Sequence, residues 1–373
     1  MGAPARVGDP VHAIDTPALV VDADALERNI AALAAFARER GLALRPHAKT
    51  HKSARIAQLQ IEAGAVGVCV QKVSEAQALA AAGVSQLYVS NEVVDPAKLD
   101  RLADLARGAR LAVAVDSPVG VERLGRALAR SGASMDVFVE VDVGHGRCGL
   151  PPGSAAALAR HVSGDPHMRF AGLQAYHGRA QHLRSAGERE AAIRHAASIV
   201  RAAQAALSGA GIACPLVTGA GTGTFAHEAA SGVWGELQCG SYVFMDRDYA
   251  DNEPLPQAPR FEHALFVKSQ VMSRGTSHAV IDAGHKSHAL DSGLPSVWGT
   301  FAGLEFANGG DEHGILRAGA GHGLPALGDA VWLVPGHCDP TVNLHDMYVV
   351  VRGGLERGVV EALWPVEARG CVG

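Results

Sequence analysis

Residues 42–52 read LALRPHAKTHK, and this stretch decides how the rest of the chain is interpreted. The short apolar run at 42–44 is typical of a buried strand. It leads into a polar segment that holds Lys49 between two histidines, His47 and His51. In a β/α barrel the active site forms from the loops at the C-terminal ends of the strands, so this position suits functional side chains.

Further short apolar runs follow, each with a helical stretch behind it, at 66–70, 87–90, 111–115, 137–141, 170–175, 216–217 and 236–238. An amphipathic pattern after Asp24, ended by Gly41, predicts a helix before the first strand. Eight strands that alternate with helices predict an α/β fold with an eight-stranded β/α barrel. A doubly wound open sheet is the alternative, but the count and the even alternation favour closure.

The pattern changes after about residue 260. The runs at 264–272, 278–282, 330–334 and 347–352 are β-like and separated by Gly, Pro and Asn, with no good helix. We therefore predict a barrel over 24–258 and an all-β domain over 1–23 and 259–373. The early run at 18–22 is expected to pair with the second domain.

Composition excludes several classes of function. The chain has 373 residues, of which 48% are hydrophobic and 19% charged, as in ordinary globular proteins. A net charge of −5 without a basic block argues against nucleic-acid or membrane-surface partners. No apolar run approaches the ~20 residues of a membrane span. Residues 1–10 lack the apolar core of a secretory signal, and scattered cysteines indicate free thiols, so we expect a cytoplasmic protein.

Lys49 suits covalent chemistry. A partly desolvated lysine amine near other cations is a good nucleophile toward an aldehyde, most often pyridoxal phosphate. We take Lys49 and the neighbouring His51 as candidate catalytic residues. On local sequence alone, a surface lysine in a basic turn is the alternative, and Lys52 is interpreted as a solvated turn residue.

Two turns that contain glycine predict a phosphate site. TGAGTGT at 218–224 follows the seventh strand, and QCGSY at 238–242 follows the eighth. Glycines allow close approach of the backbone, whose amides then donate hydrogen bonds to phosphate. Such turns are also common in barrels without a ligand. The candidate cofactor contacts in these turns are Thr218, Gly221, Thr222, Gly240, Ser241 and Tyr242.

Two more strand ends add candidates. Arg147 lies in VDVGHGRCG at 141–149, where its guanidinium suits the phenolate oxygen of pyridoxal. A salt bridge to Glu140 or Asp142 is an equally good interpretation from spacing alone. Tyr176, a further candidate contact of the cofactor, follows the sixth strand.

His337 and Asp339 lie two residues apart in PGHCDPTVNLHD at 335–346. On an extended segment, side chains at i and i+2 point the same way, so these two predict half of a metal site. Nitrogen and oxygen ligands suit Mn²⁺ or Mg²⁺, with Zn²⁺ and Co²⁺ as further choices. A hydrogen-bonded turn is the alternative.

In this order, the motifs resemble those of the D-threonine aldolase and 3-hydroxy-D-aspartate aldolase family of alanine-racemase-like pyridoxal phosphate enzymes. The resemblance runs from DTP at 15–17 to WPVEARG at 364–370. Its more specific parts are RPHAK at 45–49, CVQKVSE at 69–75, GLQAYHG at 172–178, ELQCGSYVFMD at 236–246 and the segment 335–346.

The resemblance implies an alanine-racemase-type barrel with a β domain, a homodimer and a D-β-hydroxy-α-amino acid as substrate. It makes Lys49 the Schiff-base lysine, Arg147 the partner of the phenolic oxygen and His182 a candidate base. It makes His337 and Asp339 ligands of a divalent cation. Gln238 matches the partner of the ring nitrogen in related folds, with a strand-end hydrogen bond as the alternative.

Three functions fit the resemblance to different degrees. Retro-aldol cleavage to glycine and an aldehyde is favoured because related D-serine dehydratases carry Cys in place of Asp339. A 3-hydroxy-D-aspartate aldolase and a D-serine or 3-hydroxyaspartate dehydratase are the alternatives. A protein that carries the cofactor without turnover is disfavoured, because barrels of that kind lack the β domain.

Overall fold

The computed structural model describes residues 3–255, 257–319 and 323–373. The first strand, Ala18–Asp22 (β1), belongs to the second of two sheets. The next eight strands form one parallel sheet. They are Ala43–Leu44 (β2), Val68–Val70 (β3), Gln86–Glu92 (β4), Arg110–Val115 (β5), Met135–Glu140 (β6), Met168–Ala175 (β7), Val217–Gly219 (β8) and Glu236–Leu237 (β9).

The edges of this sheet meet. Its strand order is β2-β9-β8-β7-β6-β5-β4-β3, which leaves β2 and β3 at the two ends. A parallel bridge between His47 and Cys69 joins them. Cys69 donates its amide proton to the Pro46 carbonyl at 2.8 Å. The predicted eight-stranded β/α barrel is therefore confirmed.

Helices cover the outside of the barrel. The first begins one residue before Asp24, because Asp22 Oδ1 caps it by accepting from the Ala25 amide at 3.1 Å. Its predicted apolar face is buried. The helices of this half are Ala23–Glu39 (α1), Ala54–Glu62 (α2), Val73–Ala81 (α3), Pro96–Leu105 (α4), Pro118–Ser131 (α5), Ala155–Ser163 (α6), Ala186–Gly209 (α7), Phe225–Ser231 (α8) and Arg247–Ala250 (α9).

A nine-stranded, mostly antiparallel sheet forms the second half. As expected, β1 joins it, antiparallel to β10 and parallel to β16. Its other strands are Leu265–Arg274 (β10), His278–Ile281 (β11), Ser296–Trp298 (β12), Glu305–Asn308 (β13), Gly314–Arg317 (β14), Ala330–Val334 (β15), Met347–Arg352 (β16) and Val359–Pro365 (β17). Sequence reasoning missed β12, β13, β14 and β17. It also missed two short helices, Cys338–Val342 (α10) and Gly354–Arg357 (α11).

One apolar core joins the two sheets. Leu33 of α1, Leu237 of β9 and Leu333 of β15 belong to the same buried cluster. The sheets nonetheless support a division of the chain at residues 23 and 258, which we propose as domain boundaries. Residues 1–2, 256 and 320–322 of the predicted ranges lie outside the described residues. Among the helices described, none is long and apolar enough to cross a membrane.

Candidate active site

A cavity of about 390 Å³ lies at the C-terminal ends of the barrel strands. It gathers most of the predicted residues in its wall: Lys49, Arg147, Tyr176, His182, Gly221, Thr222, Gln238, Gly240 and Ser241. A larger cavity, of about 670 Å³, lies against the β domain and contains none of the predicted residues. The smaller cavity is therefore the candidate site.

Lys49 meets the β domain at this cavity. Its Nζ lies 3.1 Å from Oδ2 of Asp339, which belongs to α10. The predicted covalent lysine and a predicted metal ligand are thus neighbours within one chain. This contact favours an arrangement in which the metal ligands act on the cofactor bound to the same subunit.

His337 and Asp339 lie on a helix start rather than on the extended segment that we expected. His337 is the N-cap residue of α10, and Asp339 lies in its first turn. Pro340 explains the difference, because proline and acidic residues are both favoured in the first turn of a helix. The two side chains still converge, with His337 Nε2 3.7 Å from Asp339 Oδ1.

These two side chains fit a divalent cation. Asp246 Oδ2 lies 2.7 Å from His337 Nδ1, which fixes the ring and leaves Nε2 as the metal donor. Asp339 Oδ1 is buried and has no hydrogen-bond partner among the described residues. In the described ranges no group of three or more His, Cys, Asp or Glu side chains is placed to hold a metal. The chain therefore offers a histidine nitrogen and a carboxylate oxygen as a pair.

Neighbouring charges stabilise the ionised forms of Asp339 and His337. Burial opposes ionisation of Asp339, but the charges of Lys49 and His337 lower its pKa far below the usual range. Burial also lowers the pKa of His337, but the Asp339 charge and the hydrogen bond to Asp246 raise it overall to about 9. The Asp339 carboxylate therefore lies between the positive charges of Lys49 and His337.

The two turns predicted to bind phosphate, 218–224 and 238–242, face each other and are called the phosphate walls below. Thr222 Oγ1 accepts from the Tyr242 amide at 3.0 Å, which ties the walls together. The backbone amides of Gly221, Thr222 and Gly240 donate no hydrogen bond within the described part of the chain. A Cβ on Gly240 would lie 2.6 Å from Thr50 Oγ1 and 3.2 Å from the His47 carbonyl oxygen, so a larger residue would displace these neighbours. Free amides around a close-approach glycine fit a phosphate.

Arg147 faces the cavity rather than forming the alternative salt bridge. Its guanidinium carbon lies 5.7 Å from the ring centre of Tyr176. Asp142 Oδ1 instead accepts from the amides of Gly144 and Gly146, each at 3.0 Å. Among the described residues, no carboxylate lies within salt-bridge distance of Arg147. Its charge is therefore available to an oxygen in the cavity.

His182 belongs to a histidine–carboxylate pair. Its Nδ1 lies 2.6 Å from Oδ2 of the buried Asp248, which Arg184 also contacts. The ring lines the cavity and is half-exposed. With Nδ1 held by the carboxylate, Nε2 is the nitrogen available to accept a proton.

Three predicted residues do not reach the cavity. His51 is fully buried, and its Nδ1 accepts from the Ser53 amide. Thr218 donates to Glu236 inside the barrel, and the hydroxyl of Tyr242 accepts from Gln60. This geometry gives no support to a catalytic role of His51 or to direct cofactor contacts by the Thr218 and Tyr242 side chains.

Lys52 is not the solvated turn residue that we expected. Its side chain is only 9% exposed, and its Nζ lies 2.6 Å from Glu75 Oε1. The same ammonium donates to the carbonyls of Ala368 and Cys371 near the C-terminus. Packing of the C-terminal segment over the lysine explains its burial. Lys52 therefore has a structural role.

Replacing Lys52 by methionine should lower the free energy of unfolding by about 3–5 kcal/mol, since Glu75 would keep a buried charge without its partner. Urea unfolding of the variant measures this loss. Lys286→Met is the matched control, because Lys286 forms an exposed ion pair with Glu312 and should unfold as the wild type does. Equal stability of the Lys52 variant and the wild type would show that the buried pair contributes nothing.

Glu228 lies behind the phosphate walls. It is 1% exposed, and its Oε1 accepts from the Thr224 hydroxyl at 2.7 Å. Burial raises the pKa of this carboxyl to about 7. The acid is therefore neutral in mildly acidic solution, which keeps a negative charge away from the predicted phosphate site.

The raised pKa of Glu228 predicts a pH-dependent effect of Glu228→Gln. Between the usual pKa of 4.5 and about 7, the unfolded chain releases a proton that the folded chain keeps, so wild-type stability falls as pH rises through this window. The free energy of unfolding of the variant, relative to wild type, should therefore rise by up to about 3 kcal/mol between pH 4.5 and about pH 8. A difference that does not vary with pH would contradict the raised pKa.

Sequence reasoning missed the residues that orient the candidates. Asp246 and Asp248 hold His337 and His182, and His47 lines the cavity beside Lys49. Arg179 also lines the cavity but was not singled out. The acidic run after 245 was the available signal for the two aspartates, but no local spacing connects it with histidines elsewhere in the chain.

Family models match both halves of the chain. The model described as alanine racemase, N-terminal domain, matches residues 21–248. The model described as putative serine dehydratase domain matches residues 264–351.

Full-length relatives and a solved structure agree with these matches. The chain is 47% identical to a D-threonine aldolase of Arthrobacter sp, covering 98% of this chain and 96% of that protein. It is 43% identical to a 3-hydroxy-D-aspartate aldolase of Paracoccus denitrificans (strain Pd 1222), covering 98% and 95%. The crystal structure of D-threonine aldolase from Filomicrobium marinum superposes with a TM-score of 0.96 at 47% identity and covers all of both chains (100% and 100%).

Proposed function

Because this chain belongs to the D-threonine aldolase and 3-hydroxy-D-aspartate aldolase family of alanine-racemase-like enzymes, we propose the cavity around Lys49 as the active site of a pyridoxal-phosphate-dependent aldehyde lyase. The reaction is retro-aldol cleavage of a D-β-hydroxy-α-amino acid to glycine and an aldehyde. The observation that carries the assignment of residues is the contact between Lys49 and Asp339. It brings the amine for the cofactor and a ligand for a metal to one point.

Different residues of the cavity would bind different parts of the cofactor. Lys49 would hold the aldehyde carbon of the cofactor, and Arg147 its phenolic oxygen. The free amides of Gly221, Thr222 and Gly240 would hold its phosphate. Pyridoxal phosphate, when bound, accepts the electron pair that the broken Cα–Cβ bond leaves.

His182 and the metal pair act on the β-hydroxyl of the substrate. His337 Nε2 and Asp339 Oδ1 would hold a divalent cation, Mn²⁺ or Mg²⁺ by ligand type, whose Lewis acidity lowers the pKa of that hydroxyl. His182 Nε2 accepts the hydroxyl proton while Asp248 holds the ring from Nδ1. The oxygen–Cβ bond becomes a carbonyl as the Cα–Cβ bond breaks, and a proton delivered to Cα gives glycine.

One observation favours the 3-hydroxy-D-aspartate alternative for the natural substrate. Arg179 and His145 line the cavity. No salt bridge to Arg179 occurs among the described residues. An arginine free to form charge-assisted hydrogen bonds suits a second carboxylate on Cβ. Preference for 3-hydroxy-D-aspartate over D-threonine would support this substrate.

A product assay tests the reaction class. The enzyme is incubated with pyridoxal phosphate, Mn²⁺ and either D-threonine or 3-hydroxy-D-aspartate. Glycine with acetaldehyde or glyoxylate is the expected outcome. A 2-oxo acid as the main product would instead identify a dehydratase. The absence of any product would show that neither compound is a substrate.

We also propose a cytoplasmic homodimer. All six cysteines are free, which suits a reducing compartment. Trp298 is 43% exposed and lines the larger cavity together with Phe261, Phe301 and Trp332, which gives the β domain an aromatic surface that suits contact with a second copy. Analytical ultracentrifugation measures the oligomeric state, and a monomer at micromolar concentration would contradict this part of the proposal.

A further inference from the structure

A chain of buried hydrogen bonds crosses the barrel interior and ends at Gln238. Arg45 Nε lies 3.0 Å from Glu236 Oε1, and Thr218 Oγ1 lies 2.7 Å from the same oxygen. Gln238 Nε2 lies 2.7 Å from Thr218 Oγ1. Thr218, Glu236 and Gln238 are each at most 4% exposed. These hydrogen bonds therefore connect an ion pair at the base of the barrel with the wall of the active-site cavity.

The donor and acceptor groups allow only one direction for these hydrogen bonds. A carboxylate paired with Arg45 only accepts hydrogen bonds, so Thr218 must donate its single hydroxyl proton to Glu236. Thr218 Oγ1 then has only lone pairs for Gln238, which must present its amide nitrogen. If the amide were reversed, two acceptor oxygens would face each other at 2.7 Å inside a buried site.

The second proton of the Gln238 amide is also used. Nε2 lies 2.9 Å from Gln174 Oε1, which also accepts from the Tyr88 hydroxyl at 2.9 Å. Gln238 Oε1 is left with only a long contact, at 3.5 Å, to Gln174 Nε2. Since Gln238 lines the cavity, a carbonyl oxygen is the group that it offers to a ligand.

We propose that Arg45, Glu236 and Thr218 are positioning residues that hold the Gln238 amide with its oxygen toward the cavity, so that it accepts a hydrogen bond from a protonated ring nitrogen of the cofactor. The inference rests on the proposed function. A carbonyl oxygen that accepts only the long contact from Gln174 stabilises the protonated ring and repels the lone pair of the unprotonated one. The buried relay thereby sets how strongly the ring withdraws electrons, although none of its three members touches the cavity.

The test is ¹⁵N NMR of the holoenzyme loaded with ring-labelled pyridoxal phosphate, followed over pH. We expect a protonated ring nitrogen in the wild type at neutral pH. Thr218→Val keeps the shape of the side chain but removes the hydroxyl, which frees the amide to turn. The pKa of the ring nitrogen should then fall by about one to two units. Thr218→Ser restores the hydroxyl and should restore the wild-type titration.

An unprotonated ring in the wild type would overturn the inference without any variant. So would a Thr218→Val titration equal to wild type, or a Thr218→Ser titration equal to that of Thr218→Val. If the wild type binds no pyridoxal phosphate at all, the proposed function itself fails, and ultraviolet–visible absorbance distinguishes that result from the others.

Discussion

Replacing Lys49 by alanine should abolish both turnover and the long-wavelength absorbance of bound cofactor. The lysine amine is the group proposed to hold the cofactor covalently, and its loss removes a bond that no neighbour can replace. The rate should fall by on the order of a thousandfold or more. Absorbance after free cofactor is removed by dialysis and the steady-state rate measure the two effects.

Lys286→Ala is the matched control for Lys49→Ala. Lys286 lies on the β domain in an exposed pair with Glu312, so its loss should change neither absorbance nor rate. Lys52 does not serve as a control, because its buried pair with Glu75 makes any loss of activity ambiguous. Retention of absorbance and rate by the Lys49 variant would disprove the assignment.

Removing divalent metal should stop cleavage and leave the cofactor bound. The proposed ligands, His337 and Asp339, lie in the β domain, whereas the free amides of the phosphate walls lie in the barrel. Loss of the Lewis acid at the β-oxygen should raise the barrier by several kcal/mol, on the order of a thousandfold in rate. The measurements are the rate and the cofactor absorbance before and after treatment with a chelator.

Variants separate loss of the metal from general damage. Mn²⁺ should restore the chelated wild type but not His337→Ala, in which one of the two ligands is gone. His285→Ala is the control, because His285 pairs with Asp311 on the β domain and is not part of the cavity wall. Full activity of a chelated, metal-free sample would remove the metal from the proposed mechanism.

Local patterns predicted the barrel well. Each of the eight apolar runs became a barrel strand, because a buried parallel strand is a short apolar segment whatever its neighbours are. The β domain was predicted less completely. The missed strands β12, β13 and β14 have only three or four residues each, too few for an alternation of polar and apolar side chains to be recognised.

Most of the predicted site residues line one cavity, but the contacts between them were not predicted. The carboxyl ends of parallel strands share one face, so strand order and strand ends alone predict that Lys49, Arg147, Gly221 and Gly240 lie together. Lys52 was misinterpreted because its burial depends on the C-terminal segment near Ala368, which no local window contains.

The sequence by itself determined the barrel, the β domain and the face that holds most of the candidate residues, because periodicity and strand ends are local properties of the chain. Only the tertiary structure decided which side chains meet. The pairs Lys49–Asp339 and His337–Asp246 join residues that are distant in sequence. The hydrogen bonds that run from Gln238 through Thr218 end at an ion pair at the far end of the barrel. Hydrogen bonds and ion pairs act over a few ångströms in space, and the spacing of residues along a chain does not encode those distances.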